Sequence, residues 1–114
     1  MIAMMFEVWP KTEHKQDYLD EAAKLRALVE NIDGFISIER FESLYEPGKI
    51  LSLGFFRNEE AVKAWRNTPE HRTAQTLGQN QYISKYRLRI ADVVRDYSMQ
   101  DRDQTPQDSK NLHG

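Results

Sequence analysis

The run from Ile2 to Trp9 is almost entirely large and apolar, and Pro10 ends it. A strand here puts Ile2, Met4, Phe6 and Val8 on one face and Met5, Glu7 and Trp9 on the other, because successive strand side chains point to opposite sides. The period then changes. In "KTEHKQDYLDEAAKLRALVENIDG", Tyr18, Ala22, Leu25, Val29 and Ile32 recur at helical spacing, with Leu19 and Leu28 beside them. This predicts an amphipathic helix over roughly 13–32. Thr12 is placed to cap it, Glu13 falls in its first turn and Gly34 stops it.

Two strands follow. "FISIERFESL" alternates, with Ile36 and Ile38 sharing one face and Phe35, Ser37, Glu39 and Phe41 the other. Pro47-Gly48 marks a turn and "KILSLGFFR" is the return strand, so 35–56 predicts a β-hairpin. Asn58 then offers an N-cap, with Glu59 and Glu60 in the first turn and an apolar stripe of Ala61, Val62 and Trp65. Pro69 breaks this helix and sits where the first turn of a second short piece accepts it, the piece ending at Gly78. In the last strand, "YISKYRLRIADVVRDY", Tyr86, Leu88 and Ile90 alternate with Arg87, Arg89 and Ala91, and the pattern extends toward Tyr97 through a bulge near Asp92.

The order β-α-β-β-α-β predicts an α+β fold of the ferredoxin-like kind, one antiparallel sheet with both helices on one face. This domain spans 1–98. Residues 99–114 have only Met99 and Leu112 as large apolar side chains, and their composition predicts a disordered polar tail or one that lies on a partner subunit.

The face away from the helices is the puzzle. In this register it carries Met5, Trp9, Phe41 and Phe56, with Glu7, Ser37, Glu39, Ser52 and Gly54 among them. Each large apolar group left in water forgoes roughly 1.5–3 kcal/mol, and together they form a patch that a monomer should not expose. A second copy laid on this face removes it, and the sequence therefore predicts a homodimer whose two sheets enclose a shared interior with room for side chains or one small ligand.

Composition narrows the chemistry. In 114 residues the charged groups are interleaved and the net charge is −2, which argues against nucleic acid as partner. Cysteine is absent, so disulfides, thiolate metal sites and cysteine nucleophiles are excluded. The first residues lack a positively charged segment, and no apolar run approaches a membrane span. A soluble cytoplasmic protein with no membrane partner is expected. No two histidines stand at ligand spacing, and there is no glycine-rich phosphate loop or nucleotide fingerprint.

The plait, together with "GFISIERFES", "LSLGFFRNEEAVKAWRNTPEH" and the closing "YRLRIADVVRDY", resembles the antibiotic biosynthesis monooxygenase (ABM) superfamily over about residues 2–97. The resemblance implies a dimeric α+β barrel with a pocket between sheet and helices in each subunit. It spans cofactor-free quinone-forming oxygenases, haem-degrading oxygenases, quinol oxygenases and members without known activity. The quinone-forming members have a tryptophan where this chain has Trp65, an asparagine at the position of Ala61, a tyrosine at that of His71, and a last-strand arginine matched by Arg87 or Arg89. The haem-degrading members share the tryptophan, but their iron-binding histidine falls at Gln75 and their first-strand asparagine near Glu7.

The candidate catalytic residues are therefore His71, Trp65, Arg87 and Arg89, and the candidate substrate-binding residues are Glu7, Trp9, Glu39, Phe41 and Phe56. Trp65 is either a wall that stacks on a flat substrate or a core tryptophan. His71, near the first turn of the short second helix, is either a general base kept neutral by the helix N-terminus or a local cap. Glu7 and Glu39 are either site carboxylates or members of structural ion pairs with Arg87, Arg89 or Arg40. Ser37, Ser52 and Gly54 leave space for a cavity. Arg57, Arg66 and Arg72 are expected in solvent, His14 and His113 as bystanders, and Gln79, Asn80 and Gln81 as a polar loop placed to act as a lid.

Three functions follow from this pattern. The first is a cofactor-independent monooxygenase acting on a small aromatic substrate, such as a phenol, hydroquinone or anthrone, with no metal and no cofactor. The second is haem binding or degradation with His71 as axial ligand. The third is a non-catalytic dimeric module that holds a small hydrophobic ligand.

Overall fold

Alternation and helical periodicity become eight regular elements in a computed structural model that describes residues 1–77 and 81–113, the side chains of 74, 75, 77 and 113 excepted. They are β1 (Ile2–Pro10), α1 (Lys15–Val29), β2 (Phe35–Glu42), β3 (Ile50–Phe56), α2 (Glu59–Arg66), α3 (Pro69–Leu77), β4 (Ile83–Asp92) and α4 (Gln107–His113). The four strands form one antiparallel sheet in the order β2-β3-β1-β4. The expected α+β plait is the observed fold. The expected stop at Gly78 and the lid residues Gln79 and Asn80 lie outside the described residues.

Local chemistry explains most boundaries. Asn58 caps α2 as its sequence position predicts, its side-chain oxygen accepting the Ala61 N–H at 3.0 Å. Thr12 does not cap α1. Residues Thr12–His14 form a 3-10 turn that leads into the helix, whose preceding residue His14 makes no side-chain cap bond and instead contacts Asp17 at 2.9 Å. The strand β4 stops at Asp92, not Tyr97, and its pairing with β1 runs evenly to Ile2↔Asp92. The irregularity lies at the other end, between Trp9 and Pro10, where the proline has no N–H to continue the ladder. The polar tail, expected to be disordered, carries the two-turn helix α4. Asp108 lies in its first turn, and the Gln107 amide donates to Asn111 at 2.9 Å.

The faces of two strands differ from the sequence-based expectation. In β3, Ser52, Gly54 and Phe56 face the helices, and Leu51, Leu53 and Phe55 occupy the open face. Phe56 is fully buried in the core with Val29, Ala61, Val62 and Trp65, so it is not an open-face residue. In β2 the pairing shifts between Phe35 and Ser37. The extra residue turns Phe35 inward against Phe56, with ring centroids 5.8 Å apart, and leaves Ile36 exposed. The β3 correction makes the open face more apolar, since its three large side chains now lie beside Met5 and Phe41, while the β2 correction takes Phe35 from that face into the core.

The helices bury the rest. Ala22 and Val29 of α1 and Ala61, Val62 and Trp65 of α2 pack on Ile2, Ile38 and Phe56, while Val8, Ile50 and Ile83 form a second cluster under Tyr18 and Leu19. Gly34 sets the distance between the β2 start and α2. It has φ +90°, and a Cβ built on it comes within 2.8 Å of the Ala61 Cβ. Gly48, in the hairpin turn, has φ +86° but open space around it.

These two glycines form a matched pair. Gly48→Ala is expected to cost the left-handed backbone term alone, about 1–2 kcal/mol. Gly34→Ala adds an overpacking term of about 1–3 kcal/mol. Urea denaturation of both variants should rank Gly34→Ala clearly lower, and equal midpoints contradict the close approach to α2.

Candidate functional site

A small residue in the middle of the sheet, Ser52, leaves room that the larger side chains at the ends of the sheet do not. A row of directly opposed residues crosses the helix-facing side of all four strands: Arg40 on β2, Ser52 on β3, Phe6 on β1 and Leu88 on β4. Ser52 is buried at 4% exposure, and Gly54 follows it on the same face. Between this floor and the helices lies a cavity of about 190 Å³ with a strongly apolar lining. Tyr18, Ala22, Leu25 and Val29 of α1 roof it, with Trp65 of α2 and His71 of α3. Tyr86 and Leu88 line it while 48% and 46% exposed, so its mouth lies along β4.

Trp65 and His71 meet at this cavity, with ring centroids 4.8 Å apart. The break between α2 and α3 brings them together. The Thr68 hydroxyl donates to the Trp65 carbonyl at 3.0 Å and accepts the His71 N–H at 3.2 Å, so it closes one helix and opens the next. Pro69 takes the first position of α3, where its missing N–H costs nothing. The Nδ1 of His71 lies 3.4 Å from the Arg66 carbonyl. A carbonyl only accepts, so Nδ1 carries the proton and Nε2 keeps the lone pair.

Burial pushes the His71 pKa below the usual imidazole value; the Arg66 carbonyl opposes this and the Arg72 charge adds to it. The neutral histidine expected at a helix start is thus kept neutral chiefly by its apolar surroundings. A depressed folded-state pKa means that the unfolded chain binds the proton first as pH falls. Stability contributed by neutral His71 is present above pH 6.5 and declines as pH drops through its lowered folded value. Melting curves between pH 7.5 and 5 should therefore converge for wild type and His71→Gln, with the wild type losing more on acidification. Parallel loss would contradict a desolvated, neutral His71.

Arg40 is the polar feature that sequence reasoning placed elsewhere. The sequence offers it as a partner for Glu7 or Glu39, but it lies on the helix-facing side, half-buried at the cavity. Its Nε is buried without a hydrogen-bond partner. An orphaned buried donor costs roughly 1–3 kcal/mol. Beside it stands Tyr18, whose phenol is pushed upward in pKa by burial, with Arg40 opposing, and therefore stays neutral. The signal was present in the sequence: Arg40 has the same strand parity as Ile38.

The other candidates do not converge on the cavity. Glu7, Trp9, Glu39, Phe41, Arg87 and Arg89 all project from the opposite side of the sheet. There Glu7 pairs with Lys49 at 2.6 Å and with Arg89. The Lys49 hydrogen bond, joined by Arg89, holds its carboxyl below the usual range; burial, second in size to the Lys49 bond, opposes them. Trp9 donates its indole N–H to Glu46 at 3.1 Å, and its ring lies under Lys85 (4.4 Å) and Lys49 (5.1 Å). The ion-pair alternative for Glu7 is the observed one. Phe56 is core, behind Trp65. Arg57 pairs with Asp33 at 3.2 Å in solvent.

The geometry has known counterparts. Residues 1–77 match the sequence profile of the antibiotic biosynthesis monooxygenase family. The jasmonate monooxygenase ABM of Pyricularia oryzae is 42% identical over 94 residues, which is 82% of this chain and 44% of that protein. The chain thus spans less than half the length of that relative. The protein YqjZ of Bacillus subtilis is 25% identical over 85 residues, 75% of this chain and 73% of its own. Among solved structures, Rv0793 of Mycobacterium tuberculosis superposes with a TM-score of 0.77 at 13% identity, covering 85% of this chain and 98% of that one. A Deinococcus radiodurans structure gives 0.79 at 14% identity, covering 87% and 98%. With two thirds of its length inside the family profile and its fold repeated in these structures, the chain belongs to the antibiotic biosynthesis monooxygenase family.

Proposed function

We propose that this chain is a cofactor-independent monooxygenase that oxidises one small, ring-bearing, mostly apolar substrate held between Trp65 and the sheet. The observation that carries it is the pairing of a half-buried histidine, its pKa lowered by desolvation, with a tryptophan on the wall of one apolar cavity. Family membership and the monooxygenase name of the Pyricularia relative support the same class.

The chemistry asks little of the protein. Nε2 of His71 removes a proton from an acidic O–H or C–H, leaving an electron-rich anion. That anion passes one electron to O2, and the two radicals combine to a peroxide on the substrate carbon. The imidazolium returns its proton, the O–O bond breaks, and a carbonyl and one water leave. For a CH2 flanked by aromatic rings, as in an anthrone, the balance is CH2 + O2 → C=O + H2O, with no outside reductant. The protein supplies orientation by the indole face, exclusion of water and the base. Haem suits this site poorly, since a porphyrin is much larger than a cavity of about 190 Å³.

The working form in this proposal is a homodimer. Met5, Leu51, Leu53, Phe55 and Phe41 make the open face apolar along its length, and a second copy covers it. In that dimer the open-face candidates for substrate binding, Glu7, Trp9, Glu39 and Phe41, and for catalysis, Arg87 and Arg89, act in assembly.

Two measurements test this. Oxygen uptake with a panel of anthrones, hydroquinones and jasmonate should occur without added cofactor, and His71→Ala should lower kcat by about 10²–10⁴-fold with little change in KM. Silence with the whole panel, or an undiminished His71→Ala variant, rejects the oxygenase. Separately, sedimentation should give two copies per particle for wild type and one for Leu53→Glu. A wild-type monomer at micromolar concentration rejects the dimer.

A further inference from the structure

The β2 end of the cavity holds a cation with a donor to spare. Of the two arginines that line it, Arg26 is engaged by Glu30 at 3.6 Å, on the outer surface of α1. Arg40 has no ion-pair partner among the described residues, and its Nε–H is buried and unsatisfied. Glu21, the carboxylate on the α1 side of the lining, is within ion-pair reach of Lys24 at 3.9 Å. The Tyr18 phenol oxygen accepts a hydrogen bond from Arg40, which leaves its own O–H as a second donor, and the buried Ser52 hydroxyl lies opposite Arg40 on β3.

We propose that Arg40, with Tyr18, is the anchor for a carboxylate, and that the substrate of this cavity is therefore a small monocarboxylic acid with an apolar, ring-bearing body. A guanidinium fork matches a carboxylate in shape and charge, and in an apolar, water-poor site such a contact is stronger than at the surface. The position of Arg40 sets the orientation. It stands on β2, at one edge of the sheet, and the mouth is at β4, the other edge. Three interstrand gaps separate Arg40 from Leu88, about 14 Å of backbone. The acid head enters first and reaches Arg40, and the apolar body fills the space over Phe6 and Met4 under Trp65. The monooxygenase relative carries the name of one such acid, jasmonate. This inference rests on the cavity being the substrate site, and it adds the chemical class of the ligand.

Isothermal titration calorimetry with two acid–ester pairs tests it without relying on turnover. The pairs are jasmonate with methyl jasmonate, and 4-phenylbutyrate with its methyl ester. Wild type should bind at least one acid 10-fold or more tighter than its ester. Arg40→Met should abolish that preference, Arg40→Lys should keep part of it, and Tyr18→Phe should reduce it. Because the wild-type comparison needs no variant, a misfolded Arg40→Met does not blunt the test. Equal binding of acid and ester, tighter binding of the ester, no binding of either, or an acid preference that survives in folded Arg40→Met each overturns the proposal. Oxygen uptake with a neutral hydroquinone by a protein that shows no acid preference leaves the oxygenase standing and removes only the carboxylate anchor.

Discussion

The packing gap over Ser52 is the feature on which the rest depends. Protein interiors are close-packed, and a void beside apolar side chains forfeits their contacts. Here the ends of the helix-facing sheet surface are filled by Phe56 with Trp65 on one side and by Val8, Ile50 and Ile83 on the other. The middle of β3 carries only the hydroxymethyl group of Ser52. The two core clusters act as pillars that hold α1 and α2 off the floor, so the cavity is built by the fold and does not wait for a ligand to open it. His71, Trp65 and Arg40 have a common space to address only because those pillars stand apart.

A second constraint follows from how the chain distributes its apolar residues. The helix-facing side of β4 keeps Tyr86, Leu88 and Ile90 between 41% and 48% exposed, since no helix of the described residues closes over that edge. Apolar surface left wet on an edge strand is a liability unless it has a use. A doorway for apolar ligands is such a use. The same sheet displays Leu51, Leu53 and Phe55 on its other side, where charged neighbours such as Glu7 with Lys49 and Arg89 punctuate the patch. Ion pairs of that kind contribute little at an open surface, and they favour one register if a partner covers them.

Much of the architecture was legible because period and punctuation agree. The α1 stripe, the Asn58 cap, the break at Pro69 and the Pro47-Gly48 turn all point the same way, and all are present. The faces of β3 were not legible, because "ILSLGFF" is apolar at almost every position and offers no alternation to fix its phase; pairing with β1 decides it. The bulge between Phe35 and Ser37 has no glycine to announce it. For the site, Trp65 and His71 could be read because the broken helix fixes them locally. Arg87 and Arg89 were placed on the correct side of β4 relative to Tyr86 and Leu88, yet the cavity lies on the other side. Arg40 was passed over because a cation near two glutamates reads as their partner, whereas the sheet separates them.

The sheet also separates the two tryptophans. Trp65 is buried, against an imidazole, on the cavity side; Trp9 is half-buried between two ammonium groups on the side that faces away. Their indoles therefore sit in different dielectric surroundings and next to different quenchers. Each would emit as a separate lamp: in the proposed working form, one reports filling of the cavity and the other the meeting of two molecules. A single-tryptophan pair, Trp9→Phe and Trp65→Phe, would let ligand capture and self-association be followed independently by light alone, in a protein that needs no attached dye.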